Sequence, residues 1–460
     1  MRTMGIDIGT TTVSMVMIDG DNGELLCSRT IPHDVFLKGP TAASRVQDPD
    51  KLWRLAAWAA GAIIKEYGRP DSIGMTGQMH GILYVDGDGE AVSPFYTWQD
   101  GNGNECMETG RTYAEVLREE TGTAAAGYGL TTHFYLQNNG MIPKTARKMV
   151  TISDYIAMKL CGRSEPVIAE DMAASWGCFD LKGGDFCRDK LVKAGVKLDF
   201  LPELLHDHRM MGTTVEKHDV GIPAGIPVAV SWGDNQASVL GSVKDLSNTV
   251  LINIGTGSQV SFGTAAYLQT HGAIELRPCT NKCYLMVGAS LCGGRAYAML
   301  EQFYSMVAGK QGKVDMYARM ECQAREFIEH YGKEAAWQIR TTFSGTRSNP
   351  GELGSISGIS AENFHPGAMT VGMMQGILGE LYELYQEMCR MSGTKAIRLV
   401  GSGNGIRRNA LMRELAEELF QMPMEIPVCQ EEAAYGAALQ LMPITARNIQ
   451  KNNKMYVCCR

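Results

Sequence analysis

Two short turns rich in Gly and Thr, together with a neighbouring aspartate, could support phosphate chemistry. Glycine lets the backbone approach a ligand closely, and successive N–H groups with threonine hydroxyls can hold phosphate oxygens. A carboxylate beside bound phosphates, such as that of Asp7, would be repelled unless a cation intervened, which points to Mg²⁺. The alternative for Asp7 is an ordinary turn residue. The residues of the two turns are Gly9, Thr10, Thr11 and Thr12, and then Gly255, Thr256 and Gly257.

The two turns belong to an internal repeat. Residues 6–10 read IDIGT, and residues 252–256 read INIGT, about half the chain later. Each copy has the pattern of a strand, a tight turn and a second strand. The repeat predicts two related domains, each opening with a β-hairpin, and two such hairpins could hold a polyphosphate between them. The alternative is a pair of unrelated glycine hairpins, which the match of the two copies disfavours.

A second aspartate lies where a strand runs into a helix. The strand PVAV leads to Gly233-Asp234, and a helical pattern begins directly afterwards. A carboxylate at a strand end can project into a cleft and accept a proton from a hydroxyl nucleophile. The alternative is a helix N-cap, a common position for Asp.

A third Gly-rich segment contains Gly401, Gly403 and Asn404, between the strand IRLV and a helix. A Gly-rich strand-to-helix turn suits a nucleotide, although any tight turn of this kind favours glycine. Together with Mg²⁺ and a base, these segments predict phosphoryl transfer from ATP, in which the protein mainly positions the reactants. A closing cleft would exclude water, so that a sugar and not water receives the phosphoryl group.

The surrounding pattern is that of an α/β protein with mixed sheets. It predicts a helix over 50–68, strands over 72–77, 226–234 and 396–403, and a linker near 241–249. A chain of 460 residues is too long for one core and indicates two domains.

Composition excludes several functional classes. The net charge of −7 disfavours nucleic-acid binding, since such proteins carry a basic excess. The 13 cysteines are scattered through a long chain, which predicts reduced thiols. The sequence has neither a signal peptide nor an apolar run long enough for a membrane, so we expect a cytoplasmic protein that does not bind membranes.

Six motifs resemble, in this order, those of the FGGY carbohydrate kinases. They are MGIDIGTTT, GQMHG, WGDNQASVLG, LINIGTGSQV, LVGSGNGIRRN and EEAAYGAAL, and they span nearly the whole chain. The resemblance implies two actin/ribonuclease H-like domains with a catalytic cleft between them. It places the sugar-binding domain at 1–243, the nucleotide-binding domain at 249–445 and a polar tail at 446–460. It is also compatible with a homodimer.

The resemblance assigns roles to individual residues. His80 would donate a hydrogen bond to a sugar hydroxyl, Met79 would pack on the sugar carbons, and Asp100 would accept sugar hydroxyls. A histidine in this position could otherwise belong to the core, but the flanking motif favours the sugar. Asp234 would be the base that takes the proton from the terminal hydroxyl. The remaining implied contacts are Gln78 and Asn235 for the sugar and Gly294 for ATP.

GQMHG and the segment TWQDG at 97–101 are most similar to family members that phosphorylate ketoses. The resemblance favours the seven-carbon ketose sedoheptulose, with D-xylulose or another ketose or polyol as the alternative. The sequence departs from the family pattern at two places. Residues 345–350 read GTRSNP where many members carry GER-P, which bears on the cleft near the C-terminal domain. The second turn reads GTGS where sedoheptulose-phosphorylating members have STS, which bears on the choice of sugar.

Two alternatives to a sugar kinase come from other functional classes. An Hsp70-like ATPase would carry a separate peptide-binding domain, and a non-catalytic sugar sensor would be expected to lose Asp7 or Asp234. Sugar-dependent formation of ADP distinguishes a kinase from both.

Overall fold

The computed structural model describes residues 1–206, 210–217, 219–279, 283–309, 315–345, 351–442 and 456–458. The chain forms two compact units. The first contains Met1–Gly241 and a later helix, Glu432–Gln440, and the second begins at Ser242 and continues to Gln430. Most of GTRSNP and, apart from one short strand, the polar tail lie outside the described residues.

The first unit combines short strands with seven helices of its N-terminal segment. The strands are β1 (Arg2–Ile8), β2 (Thr12–Asp19), β3 (Leu25–Pro32), β4 (Phe36–Leu37), β5 (Val46–Gln47), β6 (Ser72–Gly77), β7 (Leu83–Val85), β8 (Phe95–Tyr96), β9 (Lys148–Val150), β10 (Val167–Ala169), β11 (Phe179–Asp180), β12 (Asp185–Phe186), β13 (Glu203–Leu205), β14 (Met210–Thr213), β15 (Pro227–Ala229) and β16 (Trp232–Gly233). The helices are α1 (Pro49–Tyr67), α2 (Tyr113–Thr121), α3 (Gly129–Asn138), α4 (Ile152–Cys161), α5 (Glu170–Ser175), α6 (Arg188–Lys193) and α7 (Asp234–Ser242).

The main sheet of this unit has the order β14-β15-β6-β1-β2-β3, and β16 also pairs with β6. Strands β1, β2 and β3 are antiparallel, whereas β6 runs parallel to β1, β15 and β16. In this register Asp7 lies beside Thr76, and Gly233 lies beside Gly77. The carboxyl ends of β1, β6 and β16 therefore meet at one edge, which brings Asp7 and Asp234 to the same edge of the sheet.

Among its described residues, the second unit has its own seven-stranded sheet and a separate two-stranded sheet. Its strands are β17 (Thr249–Ile254), β18 (Ser258–Thr264), β19 (Ile274–Pro278), β20 (Tyr284–Ser290), β21 (Gln338–Arg340), β22 (Ser355–Ser357), β23 (Arg398–Ser402), β24 (Met424–Pro427) and β25 (Tyr456–Cys458). Its helices are α8 (Gly293–Ala308), α9 (Met316–Tyr331), α10 (Pro366–Ser392), α11 (Asn404–Arg407) and α12 (Ala410–Phe420).

The second sheet repeats the central arrangement of the first. Its order is β19-β20-β18-β17-β23-β24-β25. The hairpin β17–β18 is antiparallel, β20 adds antiparallel to β18, and β23 runs parallel to β17. The pair β1–β2 has the same relation to β3 and β6. The predicted internal repeat therefore consists of one hairpin in the middle of each sheet.

The helix α13 (Glu432–Gln440) packs on the first sheet, against β1, β2 and β6. Small residues allow this close approach, because a Cβ at Gly5 would lie 1.8 Å from the Ala434 carbonyl oxygen. A Cβ at Gly74 would lie 2.0 Å from the Ala437 carbonyl oxygen. By compactness this helix belongs to the first unit, and the predicted domain bounds of 1–243 and 249–445 remain a prediction.

Local signals predicted several elements well. Helix α1 begins after Asp48, whose side chain caps the helix, and ends before Gly68. The strand predicted over 72–77 forms as β6, whereas the one predicted over 226–234 divides into β15 and β16. In the part of the chain that the structure describes, none of the helices has the length and apolar character needed to cross a membrane.

Candidate active site

The first predicted phosphate turn joins β1 to β2. The Gly9 N–H donates to the Thr12 carbonyl oxygen at 2.9 Å, and a Cβ at Gly9 would lie only 2.9 Å from that oxygen. Glycine is therefore required for the tight closure of this hairpin. Thr11 is exposed, while Thr10 and Thr12 are half-buried. All four predicted residues thus lie together, and their contact with ATP remains a prediction.

Two buried glutamines support this turn from behind. Gln78 Nε2 donates to the Gly9 carbonyl oxygen at 3.1 Å and to Gln47 Oε1 at 3.0 Å. Gln47 Nε2 in turn donates to the Thr10 carbonyl oxygen at 2.7 Å. Gln78 is 2% exposed and Gln47 is fully buried. Gln78, predicted to bind the sugar, here holds the backbone of the turn, and its sugar contact remains a prediction.

Trp98 was not among the predicted site residues. Its indole Nε1 donates to the Thr10 hydroxyl at 3.0 Å, and 47% of its surface is exposed. A large aromatic ring that is half-exposed and anchored at its polar end offers an apolar face beside the turn. The only sequence signal for it was its place in the segment TWQDG.

Asp7, at the edge of the first sheet, is affected by two other carboxylates. Burial, and then the negative charges of Asp234 and Glu431, raise the pKa of Asp7 to about 8. The Oδ1 atom of Asp7 is buried and has no hydrogen-bond partner among the described residues. A cation would relieve both the repulsion and the missing contact, so the residues present fit Mg²⁺.

The described residues contain no group of three or more His, Cys, Asp or Glu side chains that could hold a metal ion by themselves. Proteins commonly bind Mg²⁺ through one or two carboxylates, with substrate phosphates supplying further oxygens. The arrangement around Asp7 agrees with that pattern and not with a site made of protein ligands alone.

Two other buried carboxylates hold the backbone that leads to Asp234. Asp154 Oδ1 accepts the Ser231 N–H at 2.8 Å, and Asp171 Oδ2 accepts the Gly233 N–H at 2.8 Å. Asp154 is fully buried and Asp171 is 3% exposed. Burial raises the pKa of Asp154 to about 7 and that of Asp171 to about 6. Together they fix the short strand β16 immediately before the candidate base.

Replacing Asp154 by Asn is expected to change how the free energy of unfolding depends on pH. With a raised pKa, the folded protein keeps a proton on Asp154 that the unfolded chain releases near pH 3.8. This contribution to stability is fully present below that pH and is lost as the pH rises through about 7. Asn keeps an oxygen acceptor for the Ser231 N–H. Urea unfolding between about pH 4 and pH 8 should therefore show a smaller decline for the variant. Parallel curves for the two proteins would contradict this expectation.

Met79 lies against the backbone of β16. It is 4% exposed, and a Cβ at Gly233 would lie 2.8 Å from its Sδ atom. Met79 also belongs to a core cluster with Ile82, Tyr84 and Tyr96. The structure thus shows Met79 filling the space behind Gly233, and its predicted contact with sugar carbons remains a prediction.

His80 is held by several neighbours at once. Its backbone lies in the left-handed region with φ 73°, and its N–H donates to the Ser175 hydroxyl at 3.0 Å. Its Nδ1 atom lies 2.5 Å from the Ser175 carbonyl oxygen. The imidazole stacks on the ring of Tyr128, with 4.5 Å between the ring centroids and 3° between the planes. The residue as a whole is half-buried, and these contacts fix its ring in place.

Asp100 points into the protein. It is 1% exposed, and its oxygens accept hydrogen bonds from the Arg45 N–H at 3.2 Å and from the Asn102 backbone and side-chain amides at 3.0–3.2 Å. Burial raises the pKa of Asp100, and these hydrogen bonds oppose the shift. In this structure Asp100 ties two loops together, and its predicted contact with sugar hydroxyls remains a prediction.

Asn235 occupies the first turn of α7 beside Asp234. Its Oδ1 atom is buried and has no hydrogen-bond partner among the described residues. An unsatisfied buried polar atom is costly, and it marks a position where a ligand hydroxyl could be accommodated. The geometry is therefore compatible with the predicted sugar contact of Asn235.

The predicted ATP-binding residues of the second unit meet around the end of β17. A Cβ at Gly294 would lie 2.0 Å from the Gly255 carbonyl oxygen, and the Arg295 N–H donates to the Thr256 carbonyl oxygen at 2.8 Å. Gly403, with φ 81°, approaches the Ile254 backbone, where a Cβ would lie 2.5 Å from its carbonyl oxygen. The turn at 255–257, the start of α8 and the segment that includes Gly401, Gly403 and Asn404 thus form one cluster. Contact of this cluster with ATP remains a prediction.

Known proteins resemble the whole chain. Models of the FGGY family of carbohydrate kinases match residues 2–241 with the N-terminal domain and residues 250–442 with the C-terminal domain. Sedoheptulokinase from Mus musculus is 28% identical over 480 residues, covering 96% of this chain and 97% of that protein. Sedoheptulokinase from Homo sapiens is 27% identical over 476 residues, with 96% and 97% covered. Xylulose kinase from Rhodospirillum rubrum has a solved structure that matches with a TM-score of 0.82 at 20% identity, covering 98% of this chain and 92% of that one. The predicted actin/ribonuclease H-like fold is confirmed.

Proposed function

The chain belongs to the FGGY family of carbohydrate kinases, and we propose that its reaction is the phosphorylation of sedoheptulose by ATP. The products would be sedoheptulose 7-phosphate and ADP. The similarity to two sedoheptulokinases over nearly the whole length of both chains favours this sugar. The proposal that the chain catalyses phosphoryl transfer rests mainly on one observation. The carboxylates of Asp234 and Glu431 act on that of Asp7 at the end of β1, next to the phosphate turn.

In the proposed reaction, Asp234 accepts the proton of the terminal sugar hydroxyl while the hydroxyl oxygen attacks the γ-phosphorus of ATP. The new oxygen–phosphorus bond forms as the bond to the ADP oxygen breaks. Asp154 and Asp171 keep the strand before Asp234 in place through the Ser231 and Gly233 N–H groups. A base that is already oriented loses no energy to reorganisation during the reaction.

Asp7 is the residue proposed to hold Mg²⁺, directly or through water. When bound together with the phosphates, the cation would neutralise negative charge on the transferred phosphoryl group. The turn residues Gly9–Thr12 and Gly255–Gly257 are proposed to hold phosphate oxygens through N–H and hydroxyl groups. The cluster with Gly294, Gly401, Gly403 and Asn404 is proposed to hold the rest of the nucleotide.

The sugar is proposed to lie near His80 and Asn235. His80 is half-buried with its ring held in place, and Asn235 Oδ1 is buried beside Asp234 with no hydrogen-bond partner among the described residues. The exposed indole face of Trp98 would add an apolar surface for sugar carbons, since ligand sites are commonly lined by aromatic side chains.

An ADP-release assay over a panel of free sugars with Mg²⁺ tests the substrate. The panel contains sedoheptulose, D-xylulose, L-ribulose, D-fructose and glycerol. The highest kcat/KM is expected for sedoheptulose. A preference for D-xylulose would replace the sugar assignment and leave the kinase assignment intact. ATP hydrolysis that is independent of sugar, or sugar binding without turnover, would instead support the ATPase or the sensor alternative.

Replacing His80 by Ala is expected to raise the KM for the ketose by about tenfold, because one hydrogen bond to the sugar is lost. The value of kcat should change less, since the variant keeps Asp234 and the phosphate turns. Initial-rate kinetics at saturating ATP measure both constants. His271, an exposed histidine of the second unit, provides the matched control through His271→Ala. An unchanged KM for His80→Ala would place His80 outside the sugar site.

A further inference from the structure

Two successive carbonyl groups of the first phosphate turn accept hydrogen bonds from glutamine side chains. The Gly9 oxygen accepts from Gln78 Nε2 at 3.1 Å, and His33 Nε2 lies 3.3 Å from the same oxygen. The Thr10 oxygen accepts from Gln47 Nε2 at 2.7 Å. Because Gln78 also donates to Gln47 Oε1 at 3.0 Å, the two glutamines form one pair, and both carbonyl groups point toward it.

The direction of these carbonyl groups determines where two N–H groups point. A peptide unit is planar and trans, so its C=O and N–H bonds point in opposite directions. The Gly9 carbonyl shares its peptide unit with the Thr10 N–H, and the Thr10 carbonyl shares its own with the Thr11 N–H. Both N–H groups therefore point away from the glutamine pair, and neither donates a hydrogen bond to any residue that the structure describes. Successive N–H groups presented in this way form a concavity that binds anions such as phosphate.

The hydroxyl group of Thr10 is engaged within the protein. It donates to Gln78 Oε1 at 3.3 Å and accepts the indole N–H of Trp98 at 3.0 Å. A hydroxyl has one proton to donate, so this group has none left for a phosphate oxygen. The geometry therefore favours a phosphate contact of Thr10 through its N–H group and not through its hydroxyl.

We propose that Gln47 is a positioning residue for ATP, which holds the Thr10 carbonyl so that the Thr11 N–H is presented to a phosphate oxygen. Gln78 does the same for the Gly9 carbonyl and the Thr10 N–H. The inference rests on the proposed function, because the phosphates are those of ATP. Gln47 is fully buried on the short strand β5, so it acts through the turn and does not itself touch the nucleotide. Without its amide, the peptide unit would be free to rotate and to turn a carbonyl oxygen toward the phosphates.

Replacing Gln47 by Met tests the positioning role, because it removes the amide and keeps a side chain of similar length. Gln47→Met is expected to raise the KM for ATP by about three- to tenfold, since one hydrogen bond to the turn is lost, with little change in the KM for the ketose. Titration calorimetry with a non-hydrolysable ATP analogue and Mg²⁺ should show the same loss of affinity. The inhibition constant of adenosine, which has no phosphates, should stay that of the wild type. An unchanged affinity for the analogue, or an equal loss for adenosine, would overturn the proposal.

Gln137 provides a matched control, because its amide also holds a loop backbone in the same unit. Its Nε2 donates to the Gly195 carbonyl oxygen at 2.7 Å, and its Oε1 accepts the Lys197 N–H at 2.8 Å. Gln137→Met should lower thermal stability and leave the KM for ATP unchanged. A matching rise in the KM for Gln137→Met would make the Gln47 effect a general loss of stability and would overturn the proposal.

NMR of the wild-type protein tests the two N–H groups without any change at Gln47. In protein labelled with ¹⁵N-threonine, the two amide signals are identified by their loss in Thr10→Ser and Thr11→Ser. Both signals are expected to shift when the ATP analogue binds with Mg²⁺, and neither when adenosine binds. Unshifted signals with the analogue bound would overturn the proposal and leave the kinase assignment intact. A wild-type protein that does not bind the analogue would instead refute the proposed function, and this inference with it.

Discussion

Asp234→Asn is expected to lower kcat for sugar phosphorylation by roughly 10²–10⁴-fold, the range that a positioned general base contributes. The substitution keeps the size of the side chain and removes its ability to take the hydroxyl proton. Asp154 and Asp171 hold the preceding strand through the backbone N–H groups of Ser231 and Gly233, which the substitution leaves in place. The fold and the binding of ATP should therefore survive. Single-turnover kinetics at saturating ATP and ketose measure the chemical step.

Asp88→Asn is the matched control for this prediction, because Asp88 is an exposed aspartate of a turn in the same unit. It should have wild-type turnover. Thermal unfolding of both variants should confirm that each remains folded at the assay temperature. Near-wild-type turnover of Asp234→Asn would remove Asp234 from the role of base.

The sequence predicted those parts of the site that depend on local pattern. Gly9–Thr12 and Gly255–Gly257 form the predicted hairpin turns, because alternating apolar residues and a Gly-Thr turn determine such a structure over a few residues. The repeat predicted that each of two related domains opens with a hairpin, and the structure has one such hairpin in each of its two large sheets. The position of Asp234 at the junction of a strand and a helix also followed from neighbouring residues.

The residues that hold the backbone of the site in place could not be predicted in the same way, because they come from distant parts of the chain. The strand predicted over 226–234 divides into two, and its second part is held by Asp154 and Asp171. Nothing local marks those two as buried, since most aspartates are exposed. Gln78 and Asp100 are also buried, and both side chains form hydrogen bonds within the protein, for example to the Gly9 carbonyl oxygen and from the Arg45 N–H. Their motifs did not indicate these internal contacts, and the predicted sugar contacts of both residues remain predictions.

Glu431 illustrates another reason why parts of the site could not be predicted from the sequence. Its motif, EEAAYGAAL, was recognised, but no role for the glutamate followed from it. Only the packing of α13 on β1 and β6 brings the start of this helix near the end of β1. There the charge of Glu431 raises the pKa of Asp7. The contact joins residues at opposite ends of the chain, which sequence spacing does not reveal.

Asp7→Asn is expected to abolish the effect of Mg²⁺ on nucleotide binding and to lower turnover by at least about a hundredfold, since metal stabilisation of phosphoryl transfer contributes several kcal/mol. The internal repeat indicates that the variant will fold. Asn253 occupies the equivalent place in β17, where its Nδ2 donates to the Ser402 hydroxyl at 2.7 Å. An amide is therefore accommodated at this position of the same hairpin, so the acid at position 7 is not a requirement of the fold.

The structure also predicts the direction of the stability change for Asp7→Asn. The wild-type carboxylate is buried close to two other acids, and its Oδ1 atom has no hydrogen-bond partner among the described residues. The neutral amide removes the repulsion that an ionised Asp7 meets from Asp234 and Glu431. Without ligands, the variant should unfold at the same temperature as the wild type or at a higher one. With ATP and Mg²⁺ the order should reverse, because only the wild type gains the stabilisation that comes from the bound cation. A Mg²⁺-dependent rise in unfolding temperature that is equal in both proteins would mean that Asp7 does not hold the metal, and that its burial beside Asp234 serves some purpose other than the cation.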